Sequence, residues 1–351
     1  MAMRGTMGKG VRDAILAAVL FGLSAPVAKS LVGDLPPQLV AGLLYLGAGV
    51  GLSALGLFRK TNTASEGALS RSDVPVLTGA IAFGGIVAPF LLMLGLQWTS
   101  AAGSALLLNL ESVFTAAIAW MIVRENVSVR IATGWLAILG GAVILSWSSS
   151  AQVTQRGLLA IAGACLCWGI DNNLTQKISG TDPVQIAKLK GLVAGAVNTL
   201  LAGALAHRFF APVSILAALL LGFVSYGLSL VLYIRALRAL GTARAGNYFS
   251  FAPFVGAIAG VILWRESFTT TVLMSGTLMG FGLWLHVTER HEHRHSHEPL
   301  FHEHPHIHDE HHQHVHSPED PTGEPHNHPH RHERLEHSHP HYPDIHHRHP
   351  H

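Results

Sequence analysis

Residues 35–58, 131–155, 209–234, 245–264 and 267–288 each lack Asp, Glu, Lys and Arg, and residues 74–110 form a longer run of the same kind. An α-helix rises about 1.5 Å per residue, so roughly 20 apolar residues cross the hydrocarbon core of a bilayer. A chain of 351 residues that is 49% hydrophobic and only 13% charged has no other place to bury so many such stretches. With the weaker runs added, ten spans are expected at 11–32, 36–58, 74–97, 101–123, 131–149, 157–179, 184–206, 213–238, 242–264 and 270–288. The fold class is therefore an all-α membrane protein. Gly, Ala and Ser recur through the spans, as in bundles whose helix backbones approach closely.

The loops test that count, because a wrong number of spans would scramble the alternation of Lys and Arg between the two sides. With the N-terminus inside, the cytoplasmic side collects Arg4, Lys9, Arg12, Arg59, Lys60, Arg71, Arg124, Arg130, Lys177, Lys188, Lys190, Arg238, Arg244, Arg290 and Arg294. The other side receives Arg156, Arg208 and Arg265, with Lys29 near the end of the first span. Both termini are expected in the cytoplasm of a bacterial-type inner membrane. The run ending Ser24-Ala25-Pro26-Val27-Ala28 is read as a retained span, since Pro26 is poor chemistry for signal cleavage. A net charge of +2 with dispersed basic residues leaves no stripe for nucleic acid. Cys165 and Cys167 stand two apart in an apolar run and read as small hydrophobes.

The chain also repeats itself. Trp120-Met121-Ile122-Val123-Arg124-Glu125 closes the fourth span, and Val261-Ile262-Leu263-Trp264-Arg265-Glu266 closes the ninth, the glutamates 141 residues apart. Phe21-Gly22 matches Trp168-Gly169 in the first span of each half. Five spans repeated once must lie in opposite orientations, the arrangement many secondary transporters use for alternating access. Halves at 11–149 and 157–288 and a tail at 289–351 are expected.

Leu106-Leu107-Leu108-Asn109-Leu110-Glu111 through Arg124-Glu125, and Phe249-Ser250-Phe251-Ala252-Pro253 through Arg265-Glu266, resemble the fourth and ninth helices of EamA-type drug/metabolite transporters. The resemblance covers residues 11–288. It implies ten transmembrane helices as two inverted five-helix repeats, a central cavity, and export or exchange of small metabolites, often coupled to protons.

An ionisable side chain near the bilayer centre costs a few kcal/mol, so each is a functional candidate unless it pairs structurally. Glu111, beside Asn109, is read as a proton-coupling or cation-binding carboxylate, with a cross-bundle hydrogen bond as the alternative. Asp171 and Thr175 fall on one helix face and Asn172 and Gln176 on the adjacent one, lining a cavity or a polar helix interface. Asn247, Ser250 and Pro253 form a polar line with a proline that frees a carbonyl, marking a cavity or a packing kink. Lys29, Lys188 and Lys190 lie close enough to helix ends to snorkel; one that faced inward would offer a partner for Glu111 or Asp171. Glu125 and Glu266 read as helix-end pairs with their neighbouring arginines.

Residues 291–351 hold 23 of the 25 histidines. Alternation dominates: His291, His293, His295, His297; His302, His304, His306, His308; His312, His314, His316; His326, His328, His330, His332; His337, His339, His341. An extended HxH pair points both imidazoles to one side, and flexible neighbours complete a Zn, Ni, Co or Cu shell. The tail is expected to be disordered, cytoplasmic and metal-binding; the alternative is a segment that only titrates near pH ~6.5.

The expected function is secondary transport, in the export direction, of a small metabolite, with proton coupling and a metal-binding tail. The alternatives are a divalent-metal (Ni, Co or Zn) exporter and a membrane-anchored metal sensor or chaperone. No nucleophile with a base, HExxH or phosphate loop appears, so no enzyme is expected. Beyond divalent metal on the tail, no cofactor is required. The partners are the lipid bilayer and a small-molecule or ion substrate.

Overall fold

The computed structural model describes residues 2–58, 69–123, 128–147, 153–178, 182–205, 210–240, 248–288, 291–297, 301–306, 326–331 and 335–341. Among them, nine helices are long and apolar enough to cross a membrane. They are α1 (Lys9–Asp34), α2 (Pro37–Gly56), α3 (Arg71–Gln97), α4 (Ala101–Ile122), α5 (Val129–Trp147), α6 (Gln155–Lys177), α7 (Val184–Ala204), α8 (Pro212–Ala236) and α10 (Thr270–Val287). The shorter α9 (Ala252–Trp264) stands where the ninth span was expected, and residues 241–247 before it lie outside the described residues. The protein is a multi-pass, all-helical membrane protein over this part of the chain.

Local chemistry fixes several helix starts. Ser100, Thr154 and Thr269 each accept a bond from the backbone N–H three residues on, satisfying donors that the first turn of a helix leaves orphaned. Thr99 and Val153 form a bridge beside two of these starts.

Several of the helix contacts come in pairs. α2 packs on α7, α5 on α10 and α4 on α9; α1 packs on α8 as α3 does on α6; α4 packs on α6 as α9 does on α1. Each contact turns into another contact, or into itself, when every helix is exchanged for the one five places along. Two pairs of backbone irregularities keep the same spacing, while a further π-helical stretch over Ala119–Val123 has no counterpart in α9. A π-helical stretch runs over Ile81–Val87 in α3 and another over Phe223–Leu228 in α8, starting 142 residues later. α4 breaks at Leu108-Asn109, and the chain breaks again at Ser250-Phe251 just before α9, also 142 residues later.

The α2–α7 seam is built on glycine. A Cβ at Gly191 would meet the Gly49 backbone nitrogen at 2.7 Å, and one at Gly195 would press on the backbone of Leu46. Without an aqueous drive between helices in lipid, such close approach supplies the dispersion that holds them.

Residues 290–344 form a separate compact unit. Within it β1 (His291–His297) pairs antiparallel with β4 (Leu335–His341), and β2 (Phe301–His306) with β3 (His326–Arg331). The reason is periodic. Alternation with period two is the strand period, so the pattern read as loose HxH pairs also suits an extended ladder.

Candidate transport site

α4 carries Glu111 ten residues past Ala101, about 15 Å down the helix and so near mid-depth. Just before it the helix narrows: Leu108 and Asn109 donate to the carbonyls of Ala105 and Leu106, and Glu111 to that of Leu108, three residues back rather than four. The Asn109 side chain is buried and donates to the Leu106 carbonyl at 2.9 Å, stitching the break. Glu111 is half-buried, and its Oε1 accepts from Asn172 Nδ2 at 2.9 Å. Asn172 also donates to Thr115 at 3.2 Å, while Asn173 donates to the Thr115 carbonyl at 3.0 Å.

Immediately before Asn172 in α6, Asp171 is buried and ion-paired to Lys190 of α7 at 2.7 and 2.5 Å. Thr175 donates to the same carboxylate at 2.9 Å. Lys190 lies six residues inside α7, about 9 Å from its start, and Asp171 six residues from the end of α6. Lys190 does not snorkel; it is the inward-facing partner. Asp171, Lys190 and Glu111 are near enough to act on one another electrostatically.

The wall opposite is α3. Gly84 presses on Asp171, where a Cβ would overlap the carboxylate. Its carbonyl accepts from Tyr45 Oη at 2.8 Å and Trp168 Nε1 at 3.1 Å. Pro89 has no N–H to return to the preceding turn, and side chains serve the carbonyls there. Asn198 Nδ2 donates to those of Gly85 and Ile86 at 3.3 Å each, and its own Oδ1 accepts from Gln38 at 2.6 Å. From Tyr45 an aromatic row runs through Tyr226, Phe21 and Phe249 to Tyr233, with centroid separations of 4.7–5.6 Å. The sequence offers Lys190 as a lysine that could face inward, and it carries no signal that makes Tyr45, Tyr226, Trp168 or Gly84 site residues.

Ser250 sits in the turn at the break before α9, and Pro253 lies in the first turn of that helix, where a missing N–H costs nothing. Asn247 lies outside the described residues, and Gln176 is exposed near the end of α6.

A second polar cluster marks one end of the bundle. Arg265 adopts a left-handed φ of 51° and ends α9, turning the chain back. Glu266 then accepts the N–H groups of Ala101 and Ala102 at 2.6 and 2.9 Å, capping α4. Its partner is thus a helix N-terminus rather than the expected neighbouring arginine. Lys29 donates to the carbonyls of Leu96 (2.9 Å) and Thr99, with the Trp264 ring 5.8 Å away. Glu125 lies outside the described residues. Another ionic contact joins α1 and α8: buried Asp13 meets Arg235 at 3.5 Å and Arg12 at 3.4 Å.

Residues 9–147, and again residues 155–288, match the EamA-like transporter family. The chain belongs to this family. A relative described as an uncharacterized transporter from Methanothermobacter thermautotrophicus is 27% identical over 294 residues, 79% of this chain and 85% of the relative. A solved crystal structure shares the fold, with a TM-score of 0.58 at 18% identity over 80% of this chain and 96% of that one. This EamA-like transporter thus carries a buried ion pair and a half-buried glutamate within its helical bundle. Among the described residues, no group of three or more His, Cys, Asp and Glu side chains is placed to hold a metal.

Proposed function

We propose that this EamA-like transporter is a proton-coupled exporter of a small metabolite bearing charged groups, working across the inner membrane with both termini in the cytoplasm. Two inverted halves, residues 11–149 and 157–288, would alternate access to a site between them. The paired packing of helices five places apart, and the two breaks 142 residues apart in α4 and before α9, support that reading. Helix breaks at mid-depth are where transporter sites are commonly built.

The observation that carries the proposal is the set Glu111, Asp171 and Lys190. Lys190 neutralises Asp171, so the site offers one ammonium already paired and one carboxylate held only by Asn172 and its surroundings. A substrate carboxylate or phosphate competes with Asp171 for Lys190, and Glu111 trades its proton for the substrate's cationic group. A bare divalent ion would meet Lys190 as a like charge, which favours the metabolite over metal efflux. We read the histidine tail as a binder of divalent metal that does not itself carry the flux.

The test compares culture medium and cell metal content, by mass spectrometry, for cells expressing the full chain, Glu111→Gln, or neither. Gln keeps an acceptor for Asn172, so the fold is retained. The expected result is one or more charged metabolites enriched outside with the full chain and back at vector level with Glu111→Gln, with Ni, Co, Zn and Cu unchanged. A full chain that lowers cell metal and leaves the medium unaltered would overturn the metabolite reading in favour of metal efflux.

A further inference from the structure

The charges at the site come from α4, α6 and α7, and the rings beside them from α1, α2, α8 and the chain just before α9. On the reading of two inverted halves these are equivalent groups of helices, so each residue of one group has a counterpart in the other. For the first two spans of each half the offset is 147 residues, set by Phe21-Gly22 with Trp168-Gly169 and by Pro36 with Pro183. For the third span and the start of the fourth it is 142, set by the π-helical stretches and the breaks. Asp171 then corresponds to Ser24, Lys190 to Leu43 and Glu111 to Pro253, so none of the three charges is repeated. The rings go the other way. Tyr226 corresponds to Gly84, Tyr45 to Leu192, Phe249 to Leu107 and Tyr233 to Leu91; only Phe21 meets another ring, Trp168. The contacts agree with these offsets, since Gly84 presses on Asp171 and Tyr226 is hydrogen-bonded to Ser24.

We propose that this asymmetry sets specificity: the aromatic row is a second subsite that takes a planar ring, so the exported metabolite carries a charged group at one end and a flat ring at the other. The inference rests on the export reading and names its substrate class. The row abuts the charged set through Tyr45, whose hydroxyl donates to the Gly84 carbonyl beside Asp171. All five rings keep part of their surface open, yet the well-exposed residues of their helices are others: Leu16 in α1, Val50 in α2 and Leu220 in α8. The open ring surface therefore faces the inside of the bundle. Neighbouring rings meet at interplanar angles of 40–68°, so none covers its neighbour's face. A flat guest gains from such faces and edges beyond the area it buries, which an aliphatic chain does not.

The test is untargeted mass spectrometry of the culture medium from cells expressing the full chain or one variant, normalised to folded protein. The metabolites that the full chain enriches and Glu111→Gln loses are expected to carry both a charged group and a planar ring. Phe21→Leu and Phe249→Leu should lower their export about three- to tenfold. Tyr226→Phe, which keeps the ring, should export more than Tyr226→Leu. Trp147→Leu, which alters an exposed ring at the end of α5, should change nothing. If the Glu111-dependent metabolites lack a ring, ringless ammonium compounds included, the ring subsite is overturned and the export reading stands. Ring-bearing metabolites that leave equally well with the Leu variants overturn it too. If no charged metabolite depends on Glu111, the export reading fails and the ring subsite with it.

Discussion

At the scale of single residues the Asp171–Lys190 pair decides most. Its carboxylate and ammonium satisfy each other in a wall made of Gly84, Thr175 and apolar side chains, so removing one partner strands a charge. Lys190→Met is expected to destabilise the bundle by about 3–5 kcal/mol, read as a lower melting temperature in detergent. Asp171→Asn with Lys190→Met should recover most of the loss, because no charge is then left unpaired; a double variant as unstable as the single one would refute the pairing argument. Transport should stay absent in both, since the ammonium for the substrate is gone. The sequence exposed Glu111 and Asp171 because an acid in an apolar run is conspicuous. Lys190 reads in the sequence either as a snorkelling residue or as an inward partner, and its ion pair with Asp171 decides between them. Tyr45 and Tyr226 carried no signal at all, since an aromatic residue in a span reads equally as lipid contact or packing.

At the scale of elements the helices were legible and their seams were not. Charge-free runs gave the spans, but which glycines touch depends on which helices are neighbours. Gly191 of α7 faces the Gly49 nitrogen and the Tyr45 carbonyl of α2, at 2.7 and 2.9 Å from where a Cβ would sit. Both obstacles are backbone, which cannot rotate away. Gly191→Ala is therefore expected to cost about 1–3 kcal/mol by overpacking. Gly203 of the same helix has nothing within 4 Å of that position, and Gly203→Ala should be neutral or slightly stabilising. Thermal melts of the two variants decide it: equal losses would mean that helix propensity, not the seam, governs. Glu266 belongs to this scale as well, joining the turn after α9 to the start of α4. Glu266→Ala removes that cap and should cost about 1 kcal/mol, with the melting temperature again the measure.

For the whole molecule the question is whether the tail and the bundle are one machine or two. Residues 290–344 form their own compact unit, and Glu111 and Asp171 find the partners Asn172, Thr175 and Lys190 within α6 and α7. Among the described residues, each of these carboxylates already has a partner within the bundle. Truncation after Glu289 should therefore leave the melting temperature of the bundle within about 2 °C, inside the shift expected for a change of well under 1 kcal/mol in a chain of this size. Export per molecule under low metal should likewise be unchanged and still be abolished by Glu111→Gln. If truncation alone stops export while the bundle melts as before, the tail takes part in the transport cycle and the two-part reading fails. If truncation matters only when zinc is raised, the tail acts on the metal and the bundle on the metabolite. The histidines would then tie the protein to metal levels without sharing its substrate.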